Sequence, residues 1–390
     1  MHPTLPTPSA YTSIELFAGA GGLALGSSLA GATPHAIIEH NSYACKTLSL
    51  NQTLHGANHW PQITQTDIRG YRYTHSNIDL LTGGPPCQPF SAAGKSNGAL
   101  DPRDMFPEAI RATRELLPKA FIFENVRGLT RPLFQHYLQY ILLQLQNPSL
   151  MQKTGENWTD HLSRLQRVSP SAHEYCVNIH LVNAADYGIP QKRERVFIVG
   201  FKNPTAAFQW SLPAPTHSQA ALLLDQSDHG TYWEQYEVPT KDRSPFTLTP
   251  QILKKISLLH HSRLQNQMLP WRTVRSAIHD LPDPATTPLT ALQHTLQAGA
   301  KAYPGHTGSS LDAPAKTLKA GTHGVPGGEN MLRQPDGSVR YFTVRECARL
   351  QTFPDDYIFA GPWSECVRQI GNAVPVQLAR IITQSVIALL

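Results

Sequence analysis

Residues 11–30, Tyr11-Thr12-Ser13-Ile14-Glu15-Leu16-Phe17-Ala18-Gly19-Ala20-Gly21-Gly22-Leu23-Ala24-Leu25-Gly26-Ser27-Ser28-Leu29-Ala30, decide how this chain folds. Thr12 to Phe17 is a short apolar strand, Ala18 to Gly22 a glycine turn, and Leu23 to Ala30 a helix of small residues. Glycines in such a turn let the backbone pass close to a ligand, and the N–H groups at the helix start can receive a carboxylate or phosphate. Phe17, Ala18, Gly19, Gly21, Gly22 and Leu23 are therefore candidate ligand contacts.

Working outward, His35 to Ile38 reads as a second strand ending in Glu39, about 20 residues past the turn, where doubly wound folds place an acid for ribose hydroxyls. A third strand around Gln62 to Thr66 ends in Asp67-Ile68, and the Asp67 carboxylate can accept from an adenine amino group at the same crevice. Such a pocket suits adenosine. A glycine turn alone is also a common packing device, so the context matters. Strand-like segments recur at Ile78 to Leu81, Ala120 to Phe123, Tyr175 to Val182 and Val196 to Gly200, with helical patterns between most of them. This is the pattern of a doubly wound parallel α/β sheet, with the glycine turn at its ligand-binding edge.

The composition sets broad bounds. A chain of 390 residues, 41% apolar, can bury a sizeable core and favours two domains or one large elaborated one. The 32 prolines crowd between Pro204 and Pro335, which points to loops and short strands there, and the first ten residues read as a loose tail. No run of eighteen apolar residues and no secretory leader pattern appears, so a soluble cytoplasmic protein is expected. Cys45, Cys87, Cys176, Cys347 and Cys366 include no C-x-x-C pair, so neither a zinc site nor a disulfide framework is expected. The net charge of +5 is compatible with a polyanionic partner, but mixed signs in both halves leave the matter to the motifs.

After the fourth strand comes Gly83-Gly84-Pro85-Pro86-Cys87-Gln88-Pro89-Phe90-Ser91, a stiff loop presenting one thiol at the carboxyl edge of the sheet. Lone cysteines are usually buried filler, but apolar packing gains nothing from a thiol flanked by prolines on a surface loop. The fifth strand ends in Glu124-Asn125-Val126, which puts a carboxylate at the same edge, facing the same cavity. In Gln191-Lys192-Arg193-Glu194-Arg195, strand alternation sends Gln191, Arg193 and Arg195 to one side, where two guanidinium groups can hold a carbonyl oxygen or a phosphate.

In this order these segments resemble the DNA cytosine-C5 methyltransferase family, bacterial restriction-modification type, across nearly the whole chain. Ser13 to Leu23 looks like its cofactor motif, the Cys87 loop its nucleophile motif, Glu124-Asn125-Val126 its acid motif and Gln191 to Arg195 its Q-x-R-x-R element. Arg345 to Pro354 and Gln369 to Pro375 resemble two later blocks. Two departures are Thr66 before Asp67, where a glycine is common, and Asn41, where an aromatic often stacks on adenine.

The resemblance implies a Rossmann-like S-adenosylmethionine-dependent domain, 11–202 plus 369–390, and a smaller loop-rich target-recognition domain, 203–368. It implies that Cys87 adds to cytosine C6, that Glu124 stabilises N3, that Arg195 holds O2, and that Arg193 supports the loop or a phosphate. Pro86 would accept from the exocyclic amine through its carbonyl. Cytosine C5 is a weak nucleophile, so a thiolate must first break ring aromaticity, and for this Glu124 needs a raised pKa. None of these atoms is reachable in a stacked duplex, so the base must be rotated out. Ser91 to Arg103, with Gly94 and Gly98, reads as a loop able to cover it, and Gln88, Ser91 and Gln191 are further DNA candidates. By the same resemblance the helix after Asn372 and Pro375 returns beside the glycine turn, with Ala379, Ile382, Val386 and Leu389 on one face, bringing Asn372 and Val374 near the cofactor.

In the second half, the glycine-rich run Lys319 to Asn330 is suited to a DNA groove, which makes His323, Asn330 and Arg333 base-reading candidates. Trp210, Trp233 and Trp271 read as packing anchors, and 151–173 as a polar insertion of unknown purpose. Expected partners are double-stranded DNA and, in the cell, a cognate restriction endonuclease, with the enzyme acting as a monomer. Two alternatives stand beside this: the same chemistry on RNA cytosine, and a DNA-binding protein that keeps the fold without catalysis.

Overall fold

The computed structural model describes residues 11–53, 60–86, 104–227, 231–243, 268–320 and 330–390. The chain forms two compact units, one of Met1–Val182, Glu194–Pro213 and Ala379–Leu390, the other of Asn183–Arg193 and Ala214–Leu378.

The first unit carries seven strands: β1 (Tyr11–Leu16), β2 (Ala32–Glu39), β3 (Thr64–Gln65), β4 (Leu80–Gly83), β5 (Ala120–Val126), β6 (Cys176–Asn183) and β7 (Glu194–Phe201). They lie in the order β3-β2-β1-β4-β5-β7-β6. From β1 the winding runs one way through β2 and β3 and the other way through β4 and β5, so the switch point lies between β1 and β4. Strands β1 to β5 run parallel to one another, whereas β7 runs antiparallel to β5. The sheet is thus mixed, not wholly parallel as expected. The apolar runs of its central strands follow from burial on both faces: Ile14, Leu16, Leu80, Leu81, Phe121, Ile122 and Phe123 are all inaccessible to solvent.

Helices cover the faces: α1 (Gly22–Leu29), α2 (Ser42–Leu50), α3 (Phe106–Leu116), α4 (Gln135–Gln146) and α5 (Trp158–Leu165). Helix α5 ties the 151–173 insertion to the core of the sheet, since Leu162 and Leu165 join the cluster that also holds Tyr137, Tyr140 and Ile141 of α4. The C-terminal helix, Val376–Ile387, buries Ala379, Ile382 and Val386, and its Thr383 hydroxyl meets that of Ser27 on α1 at 3.1 Å. It therefore packs beside the helix that follows the glycine turn.

In the second unit, the strands Ser309–Ser310, Met331–Arg333 and Val339–Tyr341 form a small sheet, and the helix Val344–Leu350 starts from a capping box between Thr343 and Glu346. Arg345 of that helix is buried and donates to the carbonyls of Leu292, Pro354 and Tyr357, a clamp on the surrounding loops. A separate cluster of Leu222, Tyr232, Trp233 and Val238 takes Trp271 against its edge. Trp210 instead belongs to the first unit, where its ring meets Phe201 and His180 and its Nε1 donates to Ser385 Oγ at 3.1 Å.

The observed division differs from the sequence boundaries. The unit that carries the sheet is discontinuous, but 183–193 and 369–378 fall with the second unit and 203–213 with the first. Among the described residues no helix is long and apolar enough to cross a membrane.

Candidate active site

Strand register brings three chain segments out at one sheet edge. Leu16 pairs with Gly83, and Gly83 pairs with Phe123, so the glycine turn after β1, the Gly84-Pro85-Pro86 root after β4 and Glu124 near the end of β5 emerge side by side. Gly83 has no room for a side chain, since an added Cβ would lie 2.9 Å from the Leu16 carbonyl oxygen.

The turn itself is strained. Phe17, a non-glycine residue, has φ 53°, followed by Gly19 at 54° and Gly21 at 82°. Such an aromatic in the left-handed region costs on the order of 1–3 kcal/mol and is characteristic of functional sites. Glu39 at the end of β2 holds the turn: one carboxylate oxygen accepts from Gly19 N at 2.7 Å and the other from His40 N and Asn41 N at 2.9 and 2.7 Å. Gly21 caps α1 without a side-chain acceptor, and the buried Gly22 and Leu23 follow it. Asn41 caps α2 by accepting from Ala44 N at 3.0 Å. Asp67 caps the short turn Ile68–Gly70 and pairs with Arg69 at 2.6 Å, so the Arg69 hydrogen bonds hold its carboxyl down at about 2. Ile68 beside it is buried.

Glu15, the next-to-last residue of β1, is buried and accepts from the Thr82 hydroxyl on β4. Burial pushes its carboxyl up to about 8. The folded state therefore keeps a proton that the unfolded state releases above about pH 4.5, and this contribution to stability is lost as pH rises toward 8. Urea unfolding is expected to show wild-type stability falling by about 1.4 kcal/mol per pH unit relative to Glu15→Gln over this window. Parallel curves for the two proteins would contradict the assignment.

Cys87, Gln88 and Ser91, together with the rest of the Ser91 to Arg103 segment, lie outside the described residues, as does His323. The chain leading to Cys87 is described to Pro86. Asn125 of β5 donates through Nδ2 to the Pro85 carbonyl at 3.0 Å and accepts from Val126 N at 2.9 Å. The Pro86 carbonyl accepts from Met105 N at 3.3 Å, so it is already engaged within the chain. Glu124 leans over this root: a Cβ on Gly84 would sit 3.4 Å from its Oε2. Arg195 of β7 comes across the β5–β7 pairing to place Nε 2.8 Å from Glu124 Oε1, both side chains being nearly inaccessible. Burial lowers the Arg195 pKa, and the Glu124 charge works against that.

The other members of the Gln191 to Arg195 element do not share that face. Strand β7 begins only at Glu194, so the alternation expected from Gln191 onward does not apply. Arg193 is buried and donates to the carbonyls of Leu318, Gly371 and Ala373 at 3.2, 2.8 and 2.9 Å. Gln191, also buried, donates to Leu350 O at 3.2 Å and accepts from Leu318 N at 3.1 Å. Both side chains are internal braces of the second unit, which corrects their placement as DNA or phosphate contacts.

Asn330 is corrected for the same reason: it is buried and its amide brackets Lys319, accepting from the backbone N at 2.9 Å and donating to the O at 2.8 Å. Arg333 is exposed at the end of its strand. Asn372 is exposed and Val374 buried in the turn whose carbonyls Arg193 grips.

The sequence reading gave Asn125 no role of its own. The signal was present, because two successive prolines offer carbonyls and no N–H groups, so their backbone must find donors elsewhere.

The model of the C-5 cytosine-specific DNA methylase family matches residues 11–149 and 150–388. The chain is 32% identical over 390 residues to Type II methyltransferase M.Eco47II of Escherichia coli, covering 97% of this chain and 79% of that protein. It is 32% identical over 383 residues to Type II methyltransferase M.NgoMIV of Neisseria gonorrhoeae, covering 97% of each. Among solved structures, Spodoptera frugiperda DNMT2 shares the fold with a TM-score of 0.56 at 15% identity, over 97% of this chain and 100% of that one. A putative DNA modification methyltransferase from an Escherichia coli prophage aligns with a TM-score of 0.53 at 21% identity, covering 97% and 99%. With the family model spanning both units and full-length relatives above 30% identity, the chain belongs to the C-5 cytosine-specific DNA methylase family.

Proposed function

We propose that this chain methylates carbon 5 of a cytosine rotated out of a specific double-stranded DNA sequence, with S-adenosylmethionine as donor and Cys87 as covalent nucleophile. The observation that carries this reading is the convergence, at the switch point of one sheet, of a strained glycine turn, the root of the Cys87 loop and the Glu124–Arg195 pair.

The donor set fits the cofactor. The acids Glu39 and Asp67 suit ribose hydroxyls and an adenine amine, and the start of α1, which Gly21 caps without a side-chain acceptor, suits a methionine carboxylate. Phe17, Ala18, Gly19, Gly21, Gly22, Leu23, Asn41 and Ile68 would complete the pocket, with Pro86, Asn372 and Val374. When bound, S-adenosylmethionine supplies a sulfonium whose methyl is electrophilic.

In the chemistry proposed for the chain itself, the Cys87 thiolate bonds to C6 and the ring electrons move toward N3. Arg195 would turn from Glu124 to cytosine O2. Glu124, released from that pair, would hydrogen-bond N3 and in its protonated form donate to it. C5 is then nucleophilic. Once it carries the methyl group, loss of the C5 proton expels Cys87 and restores the ring. Pro86 can accept from the exocyclic amine through the second lone pair of its carbonyl, the first being taken by Met105 N.

The relatives named Type II methyltransferases support a place in a restriction-modification system. A labelled-methyl assay on duplex DNA and on tRNA tests the substrate, with transfer to DNA expected. Transfer to RNA alone would overturn the reading. Bisulfite sequencing of DNA from expressing cells would then give the recognised sequence.

A further inference from the structure

Asn125 grips the Pro85–Pro86 pair from the β5 side. On its other side the pair meets Met105, whose N–H donates to the Pro86 carbonyl and which stands between Asp104 and Phe106 at the start of α3. Asp104 is buried. Its Oδ1 accepts from Phe106 N at 3.1 Å and its Oδ2 from the hydroxyl of Tyr137 on α4. Tyr137 is itself backed by the insertion. Its ring lies 6.3 Å from that of Tyr140, whose hydroxyl bonds His161 Nδ1 at 2.8 Å, while His161 Nε2 faces the Leu150 carbonyl at 2.7 Å. A ring nitrogen facing a carbonyl must carry the proton, so Nε2 donates to the Leu150 carbonyl. Burial lowers the His161 pKa, which favours the neutral ring with Nδ1 accepting from Tyr140.

We propose that Asp104 and Tyr137 are a positioning pair: they fix Met105, and through its N–H the Pro86 carbonyl, against the opposing grip of Asn125. The 151–173 insertion then serves to hold the tyrosine face of α4 in place. The pair touches no substrate, and the inference rests on the reading of Cys87 as nucleophile, because Pro86 immediately precedes it. A displacement of reacting groups by about 1 Å can cost a hundredfold in rate, so a brace at this point governs chemistry more than binding.

Tyr137→Phe removes the hydroxyl and keeps the ring. Asp104→Asn keeps an oxygen to accept from Phe106 N and offers its amide N–H to the Tyr137 oxygen, whereas Asp104→Ala removes both contacts. In Tyr137→Phe and Asp104→Ala, amide hydrogen exchange at Met105 is expected to quicken about tenfold. In the same variants, formation of the covalent adduct with a 5-fluorocytosine duplex is expected to slow by about tenfold to a hundredfold, with donor affinity within about twofold of wild type. Asp104→Asn is expected to retain most of both properties. Wild-type protection at Met105 in Tyr137→Phe, or an Asp104→Asn protein no better than Asp104→Ala, would overturn the proposal. A wild-type protein that forms no adduct would overturn the functional reading instead, and the exchange at Met105 would still decide the role of the pair.

Discussion

Cys87→Ser is expected to lower methyl transfer to DNA by about 10⁴-fold or more, with donor binding and thermal stability close to wild type. A serine hydroxyl is a far weaker nucleophile than a thiolate, and nothing in the sequence around Cys87 supplies a base to activate it: the neighbours are Pro85, Pro86, Gln88 and Pro89. The measurement is single-turnover transfer of labelled methyl to a duplex substrate. A Cys87→Ser protein within tenfold of wild type would refute covalent catalysis.

The second large effect is expected at Glu124. Its carboxylate is buried, pairs with Arg195 at 2.8 Å and lies over Gly84, at the root of the Cys87 loop. Glu124→Gln keeps the shape and a hydrogen-bonding group, but it cannot deliver a proton toward N3. Single-turnover rates are expected to fall by about 10²- to 10³-fold, the scale for losing one transition-state hydrogen bond in a dry site. The variant also leaves the Arg195 guanidinium buried without its counter-charge, so unfolding must be measured beside activity to separate the two effects. A variant that binds donor and DNA normally and still reacts at the wild-type rate would exclude Glu124 from the chemistry.

Much of this site was legible in the sequence because the chemistry and the fold share one signal. A strand that ends in glycine must turn at the sheet edge, so Phe17 to Gly22 and the Gly84-Pro85-Pro86 approach to Cys87 could be placed by pattern. Glu124 followed from the apolar run Ala120 to Phe123, which could only be a buried strand. What pattern could not supply was the destination of the basic side chains. In Gln191 to Arg195 strict alternation assigns three residues to one face, yet the strand starts at Glu194, and the first two side chains turn to carbonyls of the second unit. A buried guanidinium seeks several acceptors at once, and which carbonyls gather around it is set by loops distant in sequence. Asn330 shows the same limit: a polar residue in a glycine-rich loop reads as exposed until Lys319 is found on both sides of its amide.

The antiparallel β7 was hidden for a related reason. Val196 to Gly200 is apolar in either direction, so burial identifies the strand but not its sense. The pairing of Val126 with Arg195 depends on that sense, because it carries the guanidinium to Glu124.

The most direct trial of the account is mass spectrometry of the wild-type protein incubated with S-adenosylmethionine and a duplex in which the target cytosine is replaced by 5-fluorocytosine. Fluorine at C5 cannot leave as a cation, so the sulfur–C6 bond should persist, and digestion should find one methylated nucleotide attached at Cys87. Folded protein that methylates the ordinary duplex and yet forms no such attachment, or forms it at Cys45, Cys176, Cys347 or Cys366, would contradict it.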